Sequence, residues 1–138
     1  MRSPAQVYCL VAGAALAAGG VLGFLYNGSF ATGDATLTDR DAVLGVLDVN
    51  GWHNVVHLAT GLPALALARS FSGARTYAGA LGAVYAGLAI LGLALGDGES
   101  IVGILPINTE DNVLHVLLST AGLAAYFAST SEPAPSTV

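Results

Sequence analysis

Four long stretches of the chain, residues 7–26, 52–68, 77–95 and 112–128, contain no Asp, Glu, Lys or Arg. Each approaches the ~20 residues that an α-helix needs to cross a ~30 Å hydrocarbon core. They are rich in Ala, Leu and Gly and lack the polar/apolar alternation of a barrel strand. In lipid every backbone N–H and C=O must be satisfied within the segment, so the pattern predicts four transmembrane helices. The expected fold is an all-α four-helix membrane bundle, a single domain over residues 1–128. The tail 129–138, with Pro133 and Pro135, is expected to be disordered. Pro63 removes the bond to the Ala59 carbonyl and predicts a kink in the second helix. The first stretch reads as a retained span and not a cleaved signal peptide, because only Arg2 precedes it and its apolar run is long. Residues 41–47 are apolar enough to predict a short helix lying in the membrane interface, and residues 96–99 predict a turn.

The polar positions repeat. Setting residues 49–58 against 107–116 pairs Asn50 with Asn108, Asn54 with Asn112 and His57 with His115, all at an offset of 58. The first and third stretches align at an offset of 69, with Tyr8 on Tyr77, Gly13 on Gly82, Leu22 on Leu91 and Gly23 on Gly92. The bundle is therefore expected to consist of two helical hairpins in the same orientation, related by a pseudo-twofold axis along the membrane normal. Gly19 and Gly23, and the series Gly79, Ala83 and Gly87, put small residues at every fourth position, where helices can approach closely within the chain or in a homo-oligomer.

Composition strengthens the membrane expectation. Of 138 residues, 54% are apolar and only 9% charged, against about 25% charged in an ordinary soluble domain. The chain has no Lys and a net charge of −5, which excludes the basic footprint of a nucleic-acid-binding protein. Cys9 is the single cysteine, so there is neither a disulfide framework nor a Cys-based metal motif. Arg2, Arg69 and Arg75 flank one side of the predicted spans, whereas the other two loops carry Arg40 alone. The positive-inside rule then predicts a multi-pass plasma-membrane protein with both termini cytoplasmic. Eight acidic residues, including Asp48, Glu110 and Asp111, fall on the outer side. Tyr8, Tyr77, Tyr85, Trp52 and Phe127 read as interface anchors.

The candidate chemistry lies where the second and fourth spans begin. Asn50 and Asn108 occupy N-cap positions, with His53 and Asp111 at N3. His57 and His115 fall about 10 Å deeper along each helix, where an ionisable group is costly unless it is partnered or functional. Positions i and i+4 share a face, so His53 stands over His57 and Asp111 over His115. If the two faces meet, three imidazoles and a carboxylate converge. His53, His57, Asp111 and His115 then form a ligand set for one zinc, iron or manganese ion, with Asn54 and Asn112 expected as supporting hydrogen-bond partners. An alternative takes His57 and His115 as axial ligands of haem b, or as partners of another planar ligand such as a quinone. A third is a cofactor-free hydrogen-bond network that holds the repeats together. The sequence leaves open whether the chain is an enzyme, and it names no protein partner beyond the lipid bilayer. Among other motifs there is no GxSxG, P-loop or dinucleotide fingerprint.

The run His53-Asn54-Val55-Val56-His57-Leu58 with Gly61, followed by Pro106-Ile107-Asn108-Thr109-Glu110-Asp111-Asn112-Val113-Leu114-His115, resembles an uncharacterised family of small bacterial four-helix integral membrane proteins. The resemblance covers about residues 5–128. It implies a four-span membrane protein with no assigned activity, whose motif residues here are His53, Asn54, His57, Asn108, Asp111, Asn112 and His115.

Overall fold

The computed structural model describes residues 1–39 and 41–131. Ser3 starts the first helix, α1 (Pro4–Tyr26), through a capping box: its hydroxyl accepts from Gln6 N–H at 3.3 Å, and Gln6 Oε1 accepts from Ser3 N–H at 3.0 Å. A single-turn helix α2 (Ala35–Thr38) follows, then strands β1 (Asp41–Val43) and β2 (Leu47–Val49), and α3 (Gly51–Leu67). Ser70 caps α4 (Phe71–Leu95), which leads through β3 (Ser100–Ile101) and β4 (Leu105–Pro106) into α5 (Thr109–Ala128). The fold is thus mostly helical, with five helices. α1 and α4 are long and apolar enough to cross a membrane. α3 runs continuously through Pro63.

The helical expectation holds in its coarse form, with one addition and one correction. β1 pairs with β2 and β3 with β4 in two short antiparallel hairpins. Residues 41–47 belong to the first of these and form no interfacial helix. The reason is local: Val46 N–H closes a turn on the Val43 carbonyl at 3.0 Å, and the two residues between, Leu44 and Gly45, sit at φ 55° and 72°. A turn with both central residues at positive φ twists the chain back into a hairpin. The second hairpin has the same turn 58 residues on, with Val102 at φ 49° and Gly103 at 71°. Residues 96–99 do form a turn. Of the tail, Ser129 is buried and its Oγ accepts from Ala5 N–H at 2.9 Å, while positions 132–138, and Arg40, lie outside the described residues.

α1 packs chiefly on α3 and α4 on α5. The two pairs are tied by hydrogen bonds that recur at the offsets of 69 and 58. Tyr8 Oη on α1 donates to the Leu118 carbonyl on α5 at 2.9 Å, and Tyr77 Oη on α4 donates to the Thr60 carbonyl on α3 at 2.9 Å. These two tyrosines are interhelical donors and not surface anchors. Tyr8→Phe and Tyr77→Phe are each expected to lower the unfolding free energy by about 1 kcal/mol, read by denaturant titration of the detergent-solubilised protein. No change in either variant would show that the bonds are not formed.

The close approaches differ in detail from the expected glycine series. Nothing lies within 4 Å of a Cβ built at Gly19 or Gly87, so neither makes a helix contact. Gly23 and Gly79 of that series do make close contacts, a Cβ at Gly79 meeting the Tyr126 ring at 2.8 Å and one at Gly23 overlapping Asn54 Oδ1, and Gly92, outside the series, matches Gly23, since its Cβ would overlap Asn112 Oδ1. The buried core is built mainly from small and aromatic residues, among them Ala5, Cys9, Ala12, Ala64, Ala74, Ala78 and Tyr85, with Leu16 and Leu81. Large aliphatic residues such as Val11, Leu25, Ile90, Leu93 and Leu117 point outward, the reverse of a soluble bundle.

Candidate functional site

Both hairpins sit where the polar motifs begin, and each feeds directly into a capped helix. Asn50 Oδ1 accepts from His53 N–H at 2.9 Å, and Asn108 Oδ1 accepts from Asp111 N–H at 2.8 Å. Asp111 completes a capping box by accepting from Asn108 N–H at 3.2 Å. Both asparagines therefore cap their helices as expected. Their amide nitrogens add something the sequence does not reveal. Asn50 Nδ2 donates to the Ile104 carbonyl in the turn of the second hairpin at 2.8 Å, and Asn108 Nδ2 donates to the Val46 carbonyl in the first at 2.6 Å. Each helix start is thus tied to the opposite hairpin.

This double tie brings the histidines together under the hairpins. The rings of His53 and His57 stack with centroids 4.6 Å apart and 12° between planes, as two side chains one helical turn apart must if they share a face. His115 joins them from α5, and Tyr85 on α4 packs 5.4 Å from its ring. His53, His57, His115 and Tyr85 wall a void of about 10 Å³, closed on the hairpin side by Ile101, Leu105 and Ile107. Next to it, His57, Asp111 and His115 line a chamber of about 150 Å³ with Leu16, Val43 and Leu47. His53 and His115 are almost fully buried, and Nδ1 of all three imidazoles has no hydrogen-bond partner. Tyr85, read from sequence as an interface anchor, is 2% exposed and belongs to this site.

The predicted ligand residues are therefore neighbours, but not in one shell. The three histidines share the void, and Asp111 meets only His57 and His115, in the chamber. Among the described residues, no three His, Cys, Asp or Glu side chains stand as a ready metal-binding group. Asn54 and Asn112 do not support the imidazoles. Asn54 Nδ2 donates to the Asn27 carbonyl at the end of α1 at 2.8 Å, and both amide oxygens lie unpartnered against glycines. Successive helical side chains are rotated by about 100°, so Asn54 faces α1 while His53 faces the void. Asp111 precedes the apolar stretch of α5. Burial pushes its carboxyl up to about 7, opposed by the hydrogen bond from Asn108 N–H and reinforced by the nearby charges of Asp48 and Glu110.

No curated protein and no solved structure matches the chain. A family model described as a domain of unknown function, DUF4383, matches residues 6–128. That span takes in the four long helices except the first two residues of α1, together with both hairpins and every residue of the site, and the chain belongs to this family.

Proposed function

We propose that the chain is a four-span plasma-membrane protein, built from two parallel hairpin repeats with both termini cytoplasmic, that binds one transition-metal ion among His53, His57 and His115. The membrane reading is supported by the outward-facing aliphatic residues of all four long helices and by the gathering of Arg2, Arg69 and Arg75 at the end opposite the hairpins. The repeat reading is supported by the exchanged bonds of Asn50 with Asn108 and of Tyr8 with Tyr77.

One observation carries the metal reading. A void of about 10 Å³, the room that one water or ion needs, is walled by three imidazoles whose Nδ1 atoms are all free of hydrogen bonds. Neutral imidazole suits zinc, iron or manganese, and an Nδ1 that makes no hydrogen bond can offer its lone pair to an ion. Asp111, in the adjoining chamber beside His57 and His115, stands outside this shell, and once it gives up its proton its charge favours the nearby cation, so affinity rises with pH. Haem b fits less well, since the 150 Å³ chamber is below the roughly 300 Å³ at which sites for drug-sized molecules begin.

The test is elemental analysis of the detergent-purified protein by plasma mass spectrometry. About one zinc, iron or manganese per chain is expected, lost in His57→Ala and His115→Ala and reduced at pH 6 relative to pH 8. Protein that is metal-free and takes up none of the three ions on reconstitution overturns the assignment. The second reading, a purely structural polar network, is favoured by the reciprocal asparagine ties. It predicts that His57→Gln leaves stability unchanged whether or not metal is supplied.

A further inference from the structure

The 150 Å³ chamber adjoins a groove on its α1/α5 side. Ala15, Leu114 and Leu118 line the chamber and also line this groove of about 690 Å³, which runs between α1 and α5 on the outer surface of the bundle. The groove extends from Pro4 to Ala15 along α1, a length of about 16 Å at 1.5 Å per residue. Its walls are apolar apart from Tyr8 and Arg2, which stands at the end remote from the hairpins. The corresponding groove between α3 and α4, which includes Tyr77 and Ala80, shares no lining residue with the chamber. The adjacency of groove and chamber therefore breaks the twofold likeness of the two hairpins.

We propose that groove and chamber join, across Ala15, Leu114 and Leu118, into one binding site for a long-chain quinone, its tail in the α1/α5 groove and its ring in the chamber against His57, Asp111 and His115. Three features select that class. A chamber of this size holds one six-membered ring, as an apolar cavity of about 150 Å³ holds benzene. Its polar groups converge on one end of an otherwise apolar channel, and His115, 5% exposed with an unpartnered Nδ1, lines it. A ring with two carbonyl oxygens offers an acceptor to donors on both α3 and α5. A phospholipid headgroup is disfavoured there, because Asp48 and Glu110 add negative charge beside Asp111 and Arg2 lies at the far end. The inference rests on the reading of the chain as membrane-spanning with a histidine-lined site, and it needs the chamber but not the ion.

The experiment is fluorescence-quenching titration of the full chain in lipid nanodiscs with decylubiquinone, with empty nanodiscs subtracted. Tyr85, beside His115, is a reporter close to the ring. Saturable quenching is expected for the wild type. Ala15→Phe, which plugs that junction from an exposed position, and His115→Gln are each expected to weaken binding at least tenfold. Ala14→Phe, at an exposed position that lines neither the groove nor the chamber, is expected to bind like the wild type. Decanol, which has the tail without the ring, is expected not to compete. Non-saturable partitioning, equal binding by wild type and Ala15→Phe, or full competition by decanol overturns the proposal. Metal content is measured on the same samples. Quinone binding by protein that takes up no metal sinks the metal assignment alone, and metal-loaded protein without saturable quenching sinks only the quinone site.

Discussion

Asn50→Ala is expected to destabilise the protein by about 2–4 kcal/mol, and Asn108→Ala by only about 1–2, although the two residues make the same pair of hydrogen bonds. Loss of an N-cap side chain costs about 1 kcal/mol at either position. The difference comes from the second bond. Asn50 is fully buried and its bond to the Ile104 carbonyl half-buried, so its removal leaves that carbonyl with restricted access to water, a penalty of about 1–3 kcal/mol. The tie from Asn108 to Val46 is at the surface, where water can replace the lost donor. Asn50→Ser separates the parts, since a serine hydroxyl caps α3 but is too short to reach Ile104, and it should recover about 1 kcal/mol of the loss. Denaturant unfolding of the three variants in one detergent measures all of this. Equal losses in Asn50→Ala and Asn108→Ala would refute the burial argument.

The same asymmetry bears on the proposed site, because the ties hold the hairpins over the histidines. β3 and β4 supply Ile101 and Leu105, which close the void above His53, and β1 and β2 supply Val43 and Leu47 to the chamber. A variant that frees the second hairpin opens the void to water, and an imidazole in water loses the desolvated surroundings in which a metal or a carbonyl competes well for it.

The helices are legible in the sequence because long uncharged runs leave the backbone no other way to satisfy itself. The second run, 52–68, emerges as Gly51–Leu67, and the caps at Asn50 and Asn108 fall where the polar motif places them. The hairpins are not legible by periodicity, since strands of two or three residues have none. Their signal is the repeat carried further back: Val43-Leu44-Gly45-Val46 stands against Ile101-Val102-Gly103-Ile104 at the same offset of 58, and a turn appears when both are read as needing positive φ. The histidine cluster is legible in part. The i, i+4 rule puts His53 on His57, but whether α5 brings His115 to the void or turns it outward depends on the rotation of packed helices, which small-residue spans specify only through contacts such as Gly92 with Asn112. Tyr85 carries no local mark at all, being one aromatic in an apolar helix.

Those glycine contacts set the second large effect. Gly23→Ala is expected to cost about 2–4 kcal/mol. Its Cβ would occupy the place of Asn54 Oδ1, and Asn54 cannot swing away, being fully buried and held by its bond to the Asn27 carbonyl at 2.8 Å. Overpacking of this kind costs about 1–3 kcal/mol, and displacing the amide sacrifices about 1 kcal/mol more in the hydrogen bond. Gly92→Ala meets Asn112 in the same way, without a matching bond to break, and is expected to cost about 1–3 kcal/mol. A double-mutant cycle tests the cause. Asn54→Ala alone strands the Asn27 carbonyl and is itself destabilising, but in its presence Gly23→Ala has no amide to strike. The two substitutions together should therefore cost at least about 1 kcal/mol less than the sum of their separate losses. Additive losses would mean that α1 and α3 are not held at this distance by the glycine and the amide. The register that delivers His53 and His57 to the void would then need another source.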